Sequence, residues 1–239
     1  MNHGERAKWL SGVVNLKQAP YKKINLQVAL DVGETASLLG IAHEVAEHVD
    51  WFEAGTPWIM SEGMRAVRAL REEFPNRIIV ADLKIVDAGE FEAGIGFKAG
   101  ADIVTVLGMA SDATIRGAIQ AANHHGGKVI VDLLQVSDIV GRLKEILELG
   151  AHYVGIHNAF DDLESGLEPT SDIAHITKIA PNAIVIGGGI DSHNIKAIGH
   201  HRPCSIIVGR SVTAASNPGA AAKEFRTILD NIQMKPSSK

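Results

Sequence analysis

Residues 80–89 read Val-Ala-Asp-Leu-Lys-Ile-Val-Asp-Ala-Gly, an apolar run that ends in three ionisable groups, Asp82, Lys84 and Asp87. In an extended chain, side chains two apart point the same way, so Asp82 and Lys84 share a face. The turn begun by Asp87-Ala-Gly can swing a second carboxylate toward the same ammonium. Such a cluster either closes one end of a sheet with ion pairs or stabilises charge that develops on a substrate. Other apolar runs end in the same manner: in Asp31, in Glu53 followed by Gly55-Thr56, in Thr105 and Gly108, in Asp132, and in His157. Glu53 and Asp82 are two carboxylates at the ends of neighbouring runs, a hard oxygen-only partial shell that suits Mg²⁺ and leaves positions for water and substrate oxygens. Zinc is disfavoured because no histidine pair has ligand spacing; His124-His125 and His200-His201 fall at the ends of helical stretches, where histidine caps carbonyls or faces solvent. His157 follows the core-like Tyr153-Val154-Gly155-Ile156 and can act as an acid or base near neutral pH.

The elements that must carry these groups are short and repeated. Eight β-branched runs, INLQVALDV (24–32), WFEAG (51–55), IIVADLKI (78–85), DIVTVLG (102–108), KVIVDLLQ (128–135), HYVGIHN (152–158), AIVIGGGI (183–190) and SIIVGRS (205–211), are nearly continuous in apolar character. That is what strands covered on both faces require, and it predicts a parallel sheet. Amphipathic stretches such as 35–49, 62–74, 112–125 and 137–150 lie between them, several opened by Ser or Asp and closed by Gly. The pattern is α/β, a single (βα)8 TIM barrel with a short N-terminal extension. We divide the chain into the extension (1–23), the barrel catalytic domain (24–233) and a tail expected to be disordered (234–239). Trp9-Leu10 suggests that the extension folds over the barrel bottom, and Gly126-Gly127 and Gly150 read as helix stops there.

In this fold, active sites form at the C-terminal ends of the strands, where the polar groups above fall. Strands seven and eight end in glycines instead, Gly187-Gly188-Gly189 and Val208-Gly209-Arg210-Ser211. A barrel frequently binds phosphate between these two loops, so Gly188, Gly189 and Gly209 offer backbone N–H groups and Arg210 a charged contact.

Of 239 residues, 46% are hydrophobic and 21% charged, and 28 acids against 23 bases leave a net charge of −5. That balance gives no support to nucleic-acid binding. No apolar stretch approaches the length of a membrane span, and the N-terminal MNHGERAKWLSGVV lacks the apolar segment of a signal peptide, so a cytoplasmic protein without membrane association is expected. The lone Cys204 excludes an intrachain disulfide and reads as a small, semi-buried residue.

With these residues in place, the chain resembles the metal-dependent branch of the orotidine monophosphate decarboxylase superfamily, the group holding 3-hexulose-6-phosphate synthase and 3-keto-L-gulonate-6-phosphate decarboxylase. The resemblance runs from about Leu26 to Ile232 and is carried by LQVALD (26–31), FEAGTP (52–57), ADLKIVDAGE (81–90), FKAGADIVTVLG (97–108), VIVDL (129–133), GIH (155–157), GGG (187–189) and IVGRS (207–211). It implies a homodimer with Mg²⁺ on Glu53 and Asp82, a proton-shuttling His157, Lys84 held by Asp31, and Asp87 reaching into the neighbouring subunit's site. Thr105 and Asp132 are then substrate-binding positions. TVLGMASDATI (105–115), Asp132 in place of the decarboxylases' glutamate, and Phe160 in place of their arginine look like the synthases, whereas GRSVTAASNP (209–218) looks like the decarboxylase loop.

The resemblance therefore implies Mg²⁺-dependent condensation of D-ribulose 5-phosphate with formaldehyde, with decarboxylation of 3-keto-L-gulonate 6-phosphate as the alternative. A metal-free nucleotide decarboxylase would explain D-x-K-x-x-D but leave Glu53 without a role. A non-catalytic sugar-phosphate-binding barrel would use Gly189 and Arg210 but has no need of Asp82, Lys84, Asp87 and His157 together.

Overall fold

The computed structural model describes residues 23–157 and 173–233. The expected extension up to residue 22, the tail from Met234 and the position of Phe160 lie outside the described residues. Eight strands form one closed barrel in sequence order: β1 (Asn25–Leu30), β2 (Trp51–Ala54), β3 (Ile78–Ile85), β4 (Ile103–Leu107), β5 (Lys128–Asp132), β6 (Tyr153–His157), β7 (Ile184–Gly187) and β8 (Ser205–Val208). Each pairs in parallel with the next, and β8 closes on β1. All eight expected runs are strands, and the closed (βα)8 architecture is the expected one.

The alternation along each strand separates two cores. Inward residues such as Trp51, Ile78, Val80, Ile103, Ile130 and Tyr153 fill the lower barrel interior, with the Trp51 and Tyr153 rings 5.5 Å apart. Outward residues such as Leu26, Val28, Phe52, Ile79, Val104 and Val131 pack beneath the helices. Both sets are apolar, which is why the strands read as continuous hydrophobic runs. Ten helices lie among the described residues: α1 (Thr35–Val45), α2 (Thr56–Glu62), α3 (Arg65–Glu73), α4 (Gly89–Lys98), α5 (Asp112–His125), α6 (Ile139–Glu148), α7 (Ile173–Ile179), α8 (Ile195–His200), α9 (Arg210–Thr213) and α10 (Pro218–Gln233). The Ser111 hydroxyl accepts the Thr114 N–H to cap α5, and Asp138 accepts the Gly141 N–H to cap α6.

One helix expectation is corrected. The stretch 62–74 is not one helix, because α2 starts directly after Gly55 with Pro57 in its first turn and stops at Gly63, whose φ of 60° breaks the helix before α3 begins. The base of the barrel is tied by ion pairs. Arg71 on α3 donates to Asp102 at 2.5 Å and to the Gly100, Phe74, Pro75 and Arg77 carbonyls. Arg226 on α10 bonds Asp50 and the Ile24 carbonyl, both at 3.0 Å. Cys204 is semi-buried, as expected. No helix among the described residues is long and apolar enough to cross a membrane.

Candidate active site

The inward polar side chains climb the barrel wall in steps. In the strand registers, Ser205 pairs with Asn25, Gln27 with Trp51, and Glu53 with Val80. Each next member of the series (Gln27, Glu53, Asp82) therefore sits two residues above its neighbour's partner and keeps the inward parity. The same step recurs from Thr105 to Asp132 and from Asp132 to His157. Strand tilt in a closed barrel thus brings residues from different strands to one mouth.

The β3–β4 ladder shifts register between Ala81 and Ile85, and Lys84 has a left-handed φ of 47°. Plain strand alternation, the expected basis for pairing Asp82 with Lys84, is thus supplemented by a bulge that re-aims the lysine. The Lys84 N–H freed from the ladder donates to Thr105 Oγ1 at 2.9 Å. Lys84 Nζ donates to Asp82 Oδ2 at 2.5 Å and to Thr56 Oγ1 at 3.2 Å. The Thr105 hydroxyl donates to Asp82 Oδ1 at 2.8 Å, and the Thr56 hydroxyl lies 2.7 Å from Asp82 Oδ2 and 2.8 Å from the Asp82 carbonyl.

Glu53 is buried beside this group and accepts a 2.5 Å hydrogen bond from Gln27 Nε2. Asp31 lies where β1 meets the ends of β2 and β8. A Cβ on Gly55 would fall 1.9 Å from Asp31 Oδ1, so a side chain there would displace that carboxylate.

Three carboxylates therefore crowd one ammonium. Burial pushes Glu53 well above the usual carboxylate range, and the charges of Asp82 and Asp31 push it further. Burial and the Asp82 charge raise Asp31 as well, against the opposing charges of Lys84 and His157. For Asp82, burial works upward, but the Lys84 charge and the hydrogen bonds from Lys84, Thr56 and Thr105 prevail and hold it low. Burial likewise works against the Lys84 ammonium, and Asp82, Glu53 and Asp132 more than offset it, so Lys84 stays charged. Across the mouth, Asp132 Oδ1 accepts the Leu134 N–H at 3.0 Å, and its Oδ2 lies 3.4 Å from His157 Nδ1.

Two expectations about this cluster change. The ammonium's hydrogen bonds go to Asp82 and Thr56, while Asp31, expected to hold Lys84, acts on it through charge alone. The turn after β3 does not swing Asp87 to Lys84. It leaves Asp87 exposed with its Oδ1 accepting the Ala88 N–H at 2.7 Å, and Ala88, at a φ of 47°, turns the chain into α4.

The loops after β7 and β8 stand at the same end of the barrel. Gly188 and Gly189 have φ of 87° and 67°, and Asn194 Nδ2 holds the Gly189 carbonyl at 2.8 Å. Gly209 lies against Asp31, and Arg210 is exposed at the start of α9. Thr56 and Gln27 are two site contacts that the residue pattern did not assign. Gln27 had a signal: it is a polar residue inside an apolar strand, at the parity of Asp31. Among the described residues, no three His, Cys, Asp or Glu side chains form a ready metal shell.

The family model described as Orotidine 5'-phosphate decarboxylase / HUMPS family matches residues 24–225. The sequence is 40% identical over 209 residues to the 3-hexulose-6-phosphate synthase of Mycobacterium gastri, covering 86% of this chain and 100% of that one. The crystal structure of 3-hexulose-6-phosphate synthase from Salmonella typhimurium superposes with a TM-score of 0.84 at 35% identity, over 87% of this chain and 100% of that one. That of 3-keto-L-gulonate-6-phosphate decarboxylase from Vibrio cholerae gives 0.79 at 28% identity, over 88% and 99%.

Proposed function

This chain belongs to the orotidine 5'-phosphate decarboxylase / HUMPS family, and from that premise we propose that it is a 3-hexulose-6-phosphate synthase, a lyase that joins D-ribulose 5-phosphate to formaldehyde. The observation that carries this reading is the single ammonium of Lys84 set among Asp31, Glu53 and Asp82, facing the Asp132–His157 pair. Such a mouth stabilises negative charge on one side and moves a proton on the other.

His157 removes a proton from C1 of the ketose phosphate. With Nδ1 turned to Asp132, its Nε2 is the free base. The electron pair from the C1–H bond becomes the C1–C2 double bond of a 1,2-enediolate, and the charge that collects on the C2 oxygen is met by the Lys84 ammonium. C1 then attacks the carbon of formaldehyde. A carbon–carbon bond forms, the formaldehyde π pair becomes an alkoxide, and the proton held by His157 returns to it. Thr56 and Thr105 keep Asp82 and Lys84 in register, and the β7 and β8 glycine loops with Arg210 take the phosphate.

The donor set at Glu53 and Asp82 fits Mg²⁺: both donors are hard oxygens, and Glu53 and Asp31, raised by burial and then by neighbouring carboxylate charges, are acids whose charge a dication relieves. When bound there, Mg²⁺ supplies Lewis-acid polarisation of the sugar's oxygens. The active form is a homodimer. Val32, Met60, Val86, Phe91 and Met109 are exposed large apolar side chains around the first four βα loops, with Phe91, four residues after Asp87 in the chain, 72% accessible. A second copy covering this rim buries them and brings Asp87 to the partner's mouth.

Parallel assays with ribulose 5-phosphate plus formaldehyde and with 3-keto-L-gulonate 6-phosphate test the reading. A much higher kcat/KM is expected for condensation, and the reverse ratio would assign the chain to the decarboxylases. An excess of EDTA abolishes turnover if the metal reading holds.

A further inference from the structure

We propose that Gln27 is a positioning residue that fixes the Glu53 carboxylate for cation binding, and that Ser205 fixes Gln27 in turn, so that the site extends one step down the barrel wall across β8, β1 and β2. The inference rests on Glu53 being a ligand of the divalent cation. Gln27 and Ser205 are both 0% exposed, inside a barrel whose other lower interior residues are largely apolar. A buried primary amide in such a place must have partners at both of its ends, and here each end has one.

The Gln27 amide nitrogen donates to Glu53 Oε2 at 2.5 Å. Ser205 Oγ lies 3.5 Å from Gln27 Oε1 and 3.2 Å from the Asn25 carbonyl, so its one hydroxyl proton is shared between two acceptors. The hydroxyl donor at the Oε1 end and the carboxylate acceptor at the Nε2 end select the same amide orientation. The strand registers place the three residues on successive steps of the inward staircase.

A cation ligand must be held in a fixed rotamer, and partners of this kind hold metal ligands in place throughout protein chemistry. The buried Gln27 amide meets that requirement through its hydrogen bond to Glu53 Oε2, and it does so without touching the substrate, because Glu53 stands between it and the mouth.

The test is direct titration of Mn²⁺, read from the EPR signal of the free aquo ion, on the full-length wild type and on Gln27→Met, Ser205→Ala, the double variant and Glu53→Gln, with a thermal melt of each. Gln27→Met keeps length and volume but cannot donate. Its Mn²⁺ dissociation constant is expected to rise about 10-fold or more, while the KM for ribulose 5-phosphate at saturating Mn²⁺ stays unchanged. Ser205→Ala is expected to weaken Mn²⁺ by a few-fold, roughly 2–5-fold on the same scale. The double variant should be no weaker than Gln27→Met alone, because the serine acts through the amide. Gln27→Asn, which withdraws the amide by one methylene, serves if Gln27→Met does not fold, and the same weakening is expected. Wild-type Mn²⁺ affinity in a folded Gln27 variant, with binding lost in Glu53→Gln, overturns the role of Gln27 alone. Wild-type affinity in Glu53→Gln overturns the ligand reading and the role of Gln27 with it.

Discussion

At the base of the barrel Asp102 and Asp50 each meet an arginine, whereas at the mouth Asp31, Glu53 and Asp82 share one lysine. The base is electrically closed. Asp102 Oδ2 takes both Arg71 and the Ile79 N–H, and Asp50 takes Arg226, Lys23 and the Leu26 N–H. The mouth is open by comparison, and Glu53 and Asp31 are raised by burial first and then by the neighbouring carboxylate charges, which the one Lys84 ammonium does not offset. Both regions use the same residue types at strand ends, so composition does not separate a structural cluster from a functional one. The balance of charge does, since a buried charge that only holds a fold is paired and an excess is maintained for a ligand.

That contrast is broken most severely at the mouth. Glu53→Gln or Asp82→Asn is expected to lower kcat/KM about a thousandfold or more, the scale of the charge stabilisation removed. Melting temperature should hold or rise for Glu53→Gln, because like-charge crowding is relieved; a fall in stability that matches the fall in activity would make the mouth a structural cluster. His157→Ala should cost about 10²–10⁴-fold in condensation. Solvent deuterium exchange at C1 of ribulose 5-phosphate should vanish with it, and exchange at the wild-type rate would remove His157 from the chemistry.

The base should answer in the opposite currency. Arg71→Leu strands the Asp102 carboxylate, whose side chain is 1% exposed, and is expected to destabilise the fold by about 3–5 kcal/mol in urea unfolding. The folded fraction should keep wild-type kcat/KM. Loss of activity without loss of stability would erase the distinction between the two ends.

A third comparison sets one mouth against two. Asp87→Ala and His157→Ala, each nearly inactive, should recover roughly a quarter of wild-type activity when mixed with subunit exchange, the share of intact sites from random pairing at a two-fold interface. No recovery after verified exchange would confine Asp87 to its own subunit.

The smallest expected effect lies at the base. His152 is held down to about 4 by burial and by the charge of Lys128, and its Nδ1 accepts the Val129 N–H at 3.3 Å. Its folded value is depressed below the ordinary 6.5, so its contribution is complete above 6.5 and is lost as pH falls toward about 4, where the unfolded chain takes up the proton first. His152→Gln should flatten the dependence of melting temperature on pH across that window, with little change above it.

Much of this site was legible in one dimension. Apolar runs ending in Asp31, Glu53, Asp82, Asp132 and His157 follow from the fact that a barrel strand needs continuous hydrophobicity up to its mouth and none beyond it. Less visible were the contacts that depend on a backbone departing from its regular path. The bulge at Lys84 exchanges a ladder hydrogen bond for one to Thr105, and the left-handed Ala88 carries Asp87 outward. Thr56 stands at the expected strand end, but its contacts with both Asp82 and Lys84 cross to a neighbouring strand and leave no mark in the residue pattern.

The eight-fold repeat, the end of the barrel that carries chemistry and the residue types gathered there are all written in the order of the residues, because each depends on local periodicity and on where a run of apolar residues stops. Which charge answers which was settled by closure of the barrel and by the path of the backbone at its mouth. The bulge in β3 turned Lys84 to Asp82 rather than Asp31, while Gln27 joined Glu53 and Asp132 turned to His157 because strand tilt and register fix those cross-strand neighbours. Those depend on closure of the whole sheet and not on any stretch of chain.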